Sequence, residues 1–86
     1  MATVLIFHEV DDVEAWLASP RREEIAKQMG FTFRTFVDPA GSNRVGVLVE
    51  VPDLDAFFAM MADPASMEPA RLDGVRLDTA VALVES

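Results

Sequence analysis

Residues 9–18, Glu-Val-Asp-Asp-Val-Glu-Ala-Trp-Leu-Ala, return as residues 50–59, Glu-Val-Pro-Asp-Leu-Asp-Ala-Phe-Phe-Ala. Both copies pass from the end of a β-rich stretch into an apolar stripe of helical spacing, so the chain reads as one strand-then-helix unit written twice. Working outward from the first copy, residues 3–10, Thr-Val-Leu-Ile-Phe-His-Glu-Val, have the length and composition of a strand. Asp11 and Glu14 stand at capping-box spacing, and Val13, Trp16 and Leu17 supply the apolar stripe of the helix that follows. Ser19-Pro20 interrupts that helix, because proline lacks the N–H that an interior turn needs. Pro20 suits the first turn of a second segment, capped by Ser19 and running to about Met29. Gly30 closes it as a left-handed cap.

Residues 31–38 alternate as a second strand, and Asp38-Pro39-Ala40-Gly41-Ser42-Asn43 is dense in turn formers, so residues 44–51 return as its hairpin partner. The second copy repeats the plan. Asp53 caps a helix whose Leu54, Phe57, Phe58 and Met61 lie at i, i+3, i+4 and i+7; Pro64 breaks it as Pro20 broke the first. Gly74 mirrors Gly30, and residues 75–84 form the last strand. The order is βαββαβ, which predicts an α+β, ferredoxin-like fold: a four-stranded antiparallel sheet with strands one and three central and both helices on one face. Residues 1–86 form a single domain, with no room for a linker or a second one.

The repeat also assigns the faces of the sheet. One parity of strand three reads Val45, Val47, Val49, Val51, the apolar set expected under helices, and the other reads Arg44, Gly46, Leu48, Glu50. Transferred to strand one, that parity puts Val4, Ile6, His8 and Val10 under the helices and Thr3, Leu5, Phe7 and Glu9 on the open face. Matching Gly30 to Gly74 puts Phe31, Phe33, Thr35 and Val37 with Val75, Leu77, Thr79 and Val81 on the helix side. The open face then takes Thr32, Arg34, Phe36 and Asp38, and Arg76, Asp78, Ala80, Ala82 and Val84. A patch of Leu5, Phe7, Phe36, Leu48, Ala80, Ala82 and Val84 is more apolar than a solvated sheet face should be, which predicts a homodimer joined through these faces. Pairing Phe36 with Gly46 sets Asp38 against Arg44, leaves Arg34 diagonal to Glu50, and by pseudo-symmetry brings Glu9 to Arg76. These charges are either cross-strand ion pairs or the lining of a pocket.

Composition excludes several classes. A chain of 86 residues, 51% hydrophobic, would bury only roughly 60 to 65% of its unfolded surface alone, so a partner subunit would help. There is no cysteine, hence no disulfide and no thiolate metal site, and a single histidine leaves no multi-histidine metal site. A net charge of -8 argues against binding a phosphate backbone. No leader-like opening and no run of about 20 apolar residues is present, so the expectation is a cytoplasmic protein without a membrane segment.

A first strand ending His8-Glu9-Val10, then Asp11-x-x-x-x-Trp16, Gly30 before strand two, and Val47-Leu48-Val49-Glu50 followed by Asp53-Leu54-Asp55-Ala56 resembles the small dimeric α+β barrel proteins. That superfamily includes antibiotic-biosynthesis-monooxygenase-like domains, muconolactone isomerases and haem-degrading monooxygenases. The resemblance spans nearly the whole chain. It implies two sheets meeting to close a barrel, with substrate held in the barrel or between sheet and helices. It also implies cofactor-independent monooxygenase, isomerase or cyclase chemistry on a small, partly apolar molecule. The cofactor-free monooxygenases orient a quinol-like substrate with Asn, Trp and an aromatic residue or His. Trp16 and His8 match such parts, whereas Asn43 falls in the hairpin turn and no Asn lies on a predicted strand.

His8 stands where the second copy has Val49. An imidazole at a helix-facing strand position needs a partner, so His8 is a core histidine bonded to a backbone carbonyl or to an Asp near the first helix, a general acid or base at the mouth of a cleft, or, least favoured because Glu9 points to the opposite face and no His-x-x-x-His spacing exists, a metal ligand with carboxylates. Trp16 is a core anchor, as its counterpart Phe57 is, or a stacking platform. The candidate site is therefore His8 as catalytic residue, with Trp16, Arg34, Phe36, Leu48 and Glu50 around the substrate, no metal and no cofactor. Met60, Met61 and Met67 read as adaptable core filler. The alternative function is a non-catalytic ligand-binding or dimerisation module.

Overall fold

The structure, a computed structural model, describes all 86 residues. Along the chain run β1 (Ala2–Val10), α1 (Val13–Ala18), α2 (Arg21–Met29), β2 (Thr32–Val37), β3 (Arg44–Val51), α3 (Leu54–Ala62), α4 (Pro64–Leu72) and β4 (Val75–Val84). The strands form one antiparallel sheet in the order β2-β3-β1-β4, with the two repeat strands in the middle. This is the ferredoxin-like α+β arrangement. Each crossover is a pair of short helices, because Ser19-Pro20 and Asp63-Pro64 stop the first of each pair; Pro64 then opens α4, where its missing N–H costs nothing. No helix is long and apolar enough to cross a membrane.

The caps follow the repeat. Asp53 accepts from the Ala56 N–H at 3.1 Å, and its counterpart Asp12 accepts from the Ala15 N–H at 3.2 Å. Asp12 therefore takes the place that the capping-box spacing gave to Asp11, whose carboxylate instead accepts from Arg76 Nε at 2.9 Å. Ser19 does help start α2, its hydroxyl accepting from the Arg21 N–H at 3.3 Å. Gly30 and Gly74 end the two crossovers at φ of 75° and 83°. At Gly74 the left-handed φ is what calls for glycine, since an added Cβ would come 3.4 Å from the Asp11 Cβ, at the near edge of ordinary contact.

Under the helices the core is built as the parity of β3 dictates. Val45, Val47, Val49 and Val51 are buried with Val4 and Val10 of β1, and Trp16 from α1 and Phe57 from α3 pack on them. Each such side chain withdrawn from water contributes about 1.5–3 kcal/mol. The β2–β3 register pairs Phe36 with Gly46 and Phe33 with Val49, as expected.

In β4 the expected faces hold only for the first residues. Val75 and Arg76 pair with Val10 and Glu9, but the next pair is Val81 with Phe7, so four residues of β4 oppose His8 alone. This bulge adds an odd number of residues and reverses the parity beyond it. Val81 and Leu83 therefore lie on the open face beside Phe7 and Leu5, while Ala82 and Val84 pair with Ile6 and Val4 on the helix side. Ala80 lines the helix-side cleft with Leu77. The open patch is thus Leu5, Phe7, Phe36, Leu48, Val81 and Leu83 rather than one ending in Ala80, Ala82 and Val84. Thr79 closes the gap in the ladder: its hydroxyl accepts the Glu9 N–H at 2.9 Å and donates to the Arg76 carbonyl at 2.6 Å.

Of the three expected charge pairs one forms. Arg76 lies opposite Glu9, with Nη1 3.7 Å from its carboxylate. Asp38 turns back into the hairpin instead of toward Arg44, accepting from the Ala40 N–H at 2.8 Å and from the Ser42 hydroxyl. Those bonds hold its carboxyl below the usual carboxylate range, the serine contributing most. Arg34 reaches no carboxylate and lies 5.8 Å from the Phe36 ring centre.

Candidate functional site

The β4 bulge falls beside His8, and the consequence is a cleft. No β4 residue pairs with His8, and Leu77 and Ala80 of the bulge line the cleft with it. Bulges of this kind are frequent next to working sites because they re-aim side chains. The cavity measures about 140 Å³ between the sheet and the two helix pairs. Its walls are chiefly apolar, with Ile25 from α2, Phe31 and Phe33 beside β2, and Met60, Met61 and Met67 from α3 and α4. The methionines expected as core filler thus form one wall of the cavity.

His8 and Trp16, both expected in the site, meet there. Their rings stand edge to face, 5.6 Å between centroids at an interplanar angle of 82°. His8 is buried, and no hydrogen-bond partner reaches its Nδ1. The Glu9 backbone is close enough to His8 to act on it as a weak hydrogen-bond partner, but it makes no full hydrogen bond to Nδ1. Burial lowers the imidazole pKa from its ordinary value; the nearby Glu9 backbone opposes this, and the positive charge of Arg22 adds to it. His8 is neutral at pH 7.

Arg22 is a charged residue of the cleft that the sequence reading missed. It sits in the first turn of α2, just past the Pro20 break, with its guanidinium 4.1 Å from the centre of the Trp16 ring and 5.9 Å from that of Phe33. Nη2 donates to the Trp16 carbonyl at 3.0 Å, while Nε and Nη1 are buried and have no acceptor. Burial presses its pKa down, offset in part by Asp73, and a guanidinium so placed remains a cation. Asp73 is the one acidic residue of the cleft; its largely buried carboxylate is bound by Arg21, tying the start of α2 to the end of α4. No local motif announces Arg22. The two copies change register between Glu9/Glu50 and Gly30/Gly74, so a residue in α2 has no defined counterpart to be read against.

Arg34, Phe36, Leu48 and Glu50 lie on the opposite face of the sheet, where Arg34 stands across from Leu48 and Glu50 across from Thr3 and Thr32. Within one chain they share no site with His8 and Trp16. Phe36 helps to line a shallow open-face concavity of about 440 Å³ together with Leu5, Phe7 and Gly46.

No family model matches the chain, and no curated protein matches it by sequence. Among solved structures it is similar to a crystal structure of an antibiotic biosynthesis monooxygenase, with a TM-score of 0.66 and 20% identity over 100% of this chain and 97% of that one. It is also similar to an Arabidopsis thaliana protein refined as an ensemble, with a TM-score of 0.50 and 14% identity over 100% of this chain and 94% of that one. The likeness spans the whole domain and is a likeness of fold.

Proposed function

We propose that this protein acts on a small, partly apolar molecule held in the cleft between sheet and helices, with His8 as general base. The observation that carries this reading is His8 itself, a buried imidazole lining an otherwise apolar cavity, with its Nδ1 unpartnered and its pKa lowered by burial. A neutral imidazole accepts a proton from an O–H or C–H acid, the first step shared by cofactor-independent monooxygenase, isomerase and cyclase reactions. Trp16 fixes the ring edge-on so that this nitrogen keeps its direction. The fold held in common with an antibiotic biosynthesis monooxygenase favours oxidation within that set.

The second reading is a binding module without chemistry. It is favoured by the lack of a second acid–base group beside His8, since the one carboxylate of the cleft, Asp73, is bound by Arg21. In either reading the working form is a cytoplasmic homodimer joined through the open sheet faces. Phe7, Phe36, Val81 and Leu83 are 39 to 53% exposed there, and packing them against a second copy removes the apolar patch from water. In such a dimer Arg34, Phe36, Leu48 and Glu50 would face the partner sheet and line any barrel between the two.

The test is oxygen uptake and product formation with a panel of single-ring hydroquinones and phenols, comparing native protein with His8→Gln. Turnover that falls roughly 10²-fold in the variant supports a general base. Binding without turnover in the native protein leaves the binding module. Turnover unaffected by the substitution removes His8 from the chemistry.

A further inference from the structure

The unpaired donors of Arg22 ask for a ligand of particular chemistry. Its Nε and Nη1 are buried with no acceptor, and the cleft's one carboxylate is engaged by Arg21. The chain has 15 acidic residues, yet none bonds these two nitrogens; Asp73 acts on the cation only through its charge. A buried guanidinium with donors unmade is costly, and it is held in that state: stacked flat on Trp16 and fixed through Nη2 to the Trp16 carbonyl. Such fixing leaves little motion to lose when an acceptor arrives.

We infer that Arg22 anchors the carboxylate of a single-ring organic acid. A carboxylate brings one negative charge for one positive charge and an acceptor oxygen for a free N–H edge of the guanidinium. A doubly charged phosphate would outnumber the available cation, and a sugar would find few partners on apolar walls. The space of about 140 Å³ is close to the roughly 150 Å³ apolar cavity known to admit benzene. The ring of the acid lies against Phe31, Met60 and Met67, and its carboxylate reaches Arg22 after a small shift of the side chains that cover the guanidinium. The inference rests on the cleft being a ligand site, as in the function proposed above, but not on proton transfer by His8.

Trp16 is the only tryptophan of the chain, so its fluorescence reports directly from the stack with Arg22. Titration of the native protein with benzoate, and with its neutral isostere benzamide, needs no variant. Benzoate should perturb the emission and bind at least roughly tenfold more tightly than benzamide. Arg22→Met keeps the stem that packs on Trp16 and removes the charge; it should abolish this preference while the melting temperature of the empty protein holds or rises. Equal affinity for benzoate and benzamide overturns the inference, as does an Arg22→Met protein that melts lower yet binds benzoate unchanged. His8→Gln in parallel separates the two claims. Turnover unchanged in His8→Gln while the native protein prefers benzoate to benzamide removes the general base alone, and turnover lost in His8→Gln while the native protein shows no such preference removes the anchor alone.

Discussion

His8 stands edge-on to Trp16, their ring centroids 5.6 Å apart, and this contact joins the one polar departure from the repeat to its largest core anchor. Val49 fills the equivalent place in the second copy and is buried at 3% exposure, so the position itself favours an aliphatic side chain. His8→Val should therefore stabilise the protein by about 1 kcal/mol, because a buried nitrogen without a partner is removed, while small-molecule turnover is lost. Urea denaturation checks the first half and the substrate panel the second. A variant less stable than the native protein would mean that the imidazole has a bonding partner in solution.

The lowered His8 pKa gives stability a definite pH dependence. Above the unfolded-state value of about 6.5 neither state binds the proton and the full stability is present. As the pH falls through that value the unfolded chain takes up the proton first, so stability declines until the pH reaches the lower folded-state pKa. Denaturation midpoints between pH 7.5 and pH 5, set against those of His8→Val, should differ by this slope alone, since other groups titrate in both proteins.

Thr79 is the side chain that makes the β4 bulge tolerable, since it takes the Glu9 N–H that the ladder leaves over. Thr79→Val keeps the shape and removes the acceptor. The expected loss is about 1 kcal/mol, with faster hydrogen exchange at the Glu9 amide than at its neighbours in β1. Unchanged exchange would show that the backbone re-pairs across the bulge.

Leu48 lies at the centre of the open face, paired with Leu5 on one side and Arg34 on the other. Leu48→Lys places a charge in the middle of the proposed dimer contact, among apolar side chains. Sedimentation should show dimer for the native chain and monomer or aggregate for the variant; an unchanged dimer contradicts the sheet-to-sheet contact. Val81→Lys, whose exposure on this face follows only from the bulge, should act in the same direction.

The repeat carried most of the fold. It marks the two central strands, the breaks at Pro20 and Pro64, and both glycine caps, because each rests on a local rule that one copy can check in the other. The cap of α1 was misread, since spacing picked Asp11 while Asp12, aligned in the repeat with the cap Asp53, holds the place. The limit of the repeat is reached in β4: the bulge hangs on one threonine hydroxyl and has no counterpart in β2, so nothing in the pattern of alternation discloses that parity reverses after Arg76. The site was legible in half. His8 was visible as a substitution within the repeat and Trp16 as an aromatic at the same position as Phe57. Arg22 was not visible, because its role comes from a through-space stack onto α1 and from the absence of an acceptor, and neither leaves a mark in local sequence.

One measurement reaches the central claim directly, since the chain has one histidine and its imidazole signals need no further assignment. An NMR titration of His8 should show it ionising below the ordinary histidine range, with its resonances and the indole signal of Trp16 shifting together when benzoate fills the cleft. A His8 that titrates at or above the ordinary value, and that is unmoved by any small ring compound, would contradict a neutral base standing in a ligand site.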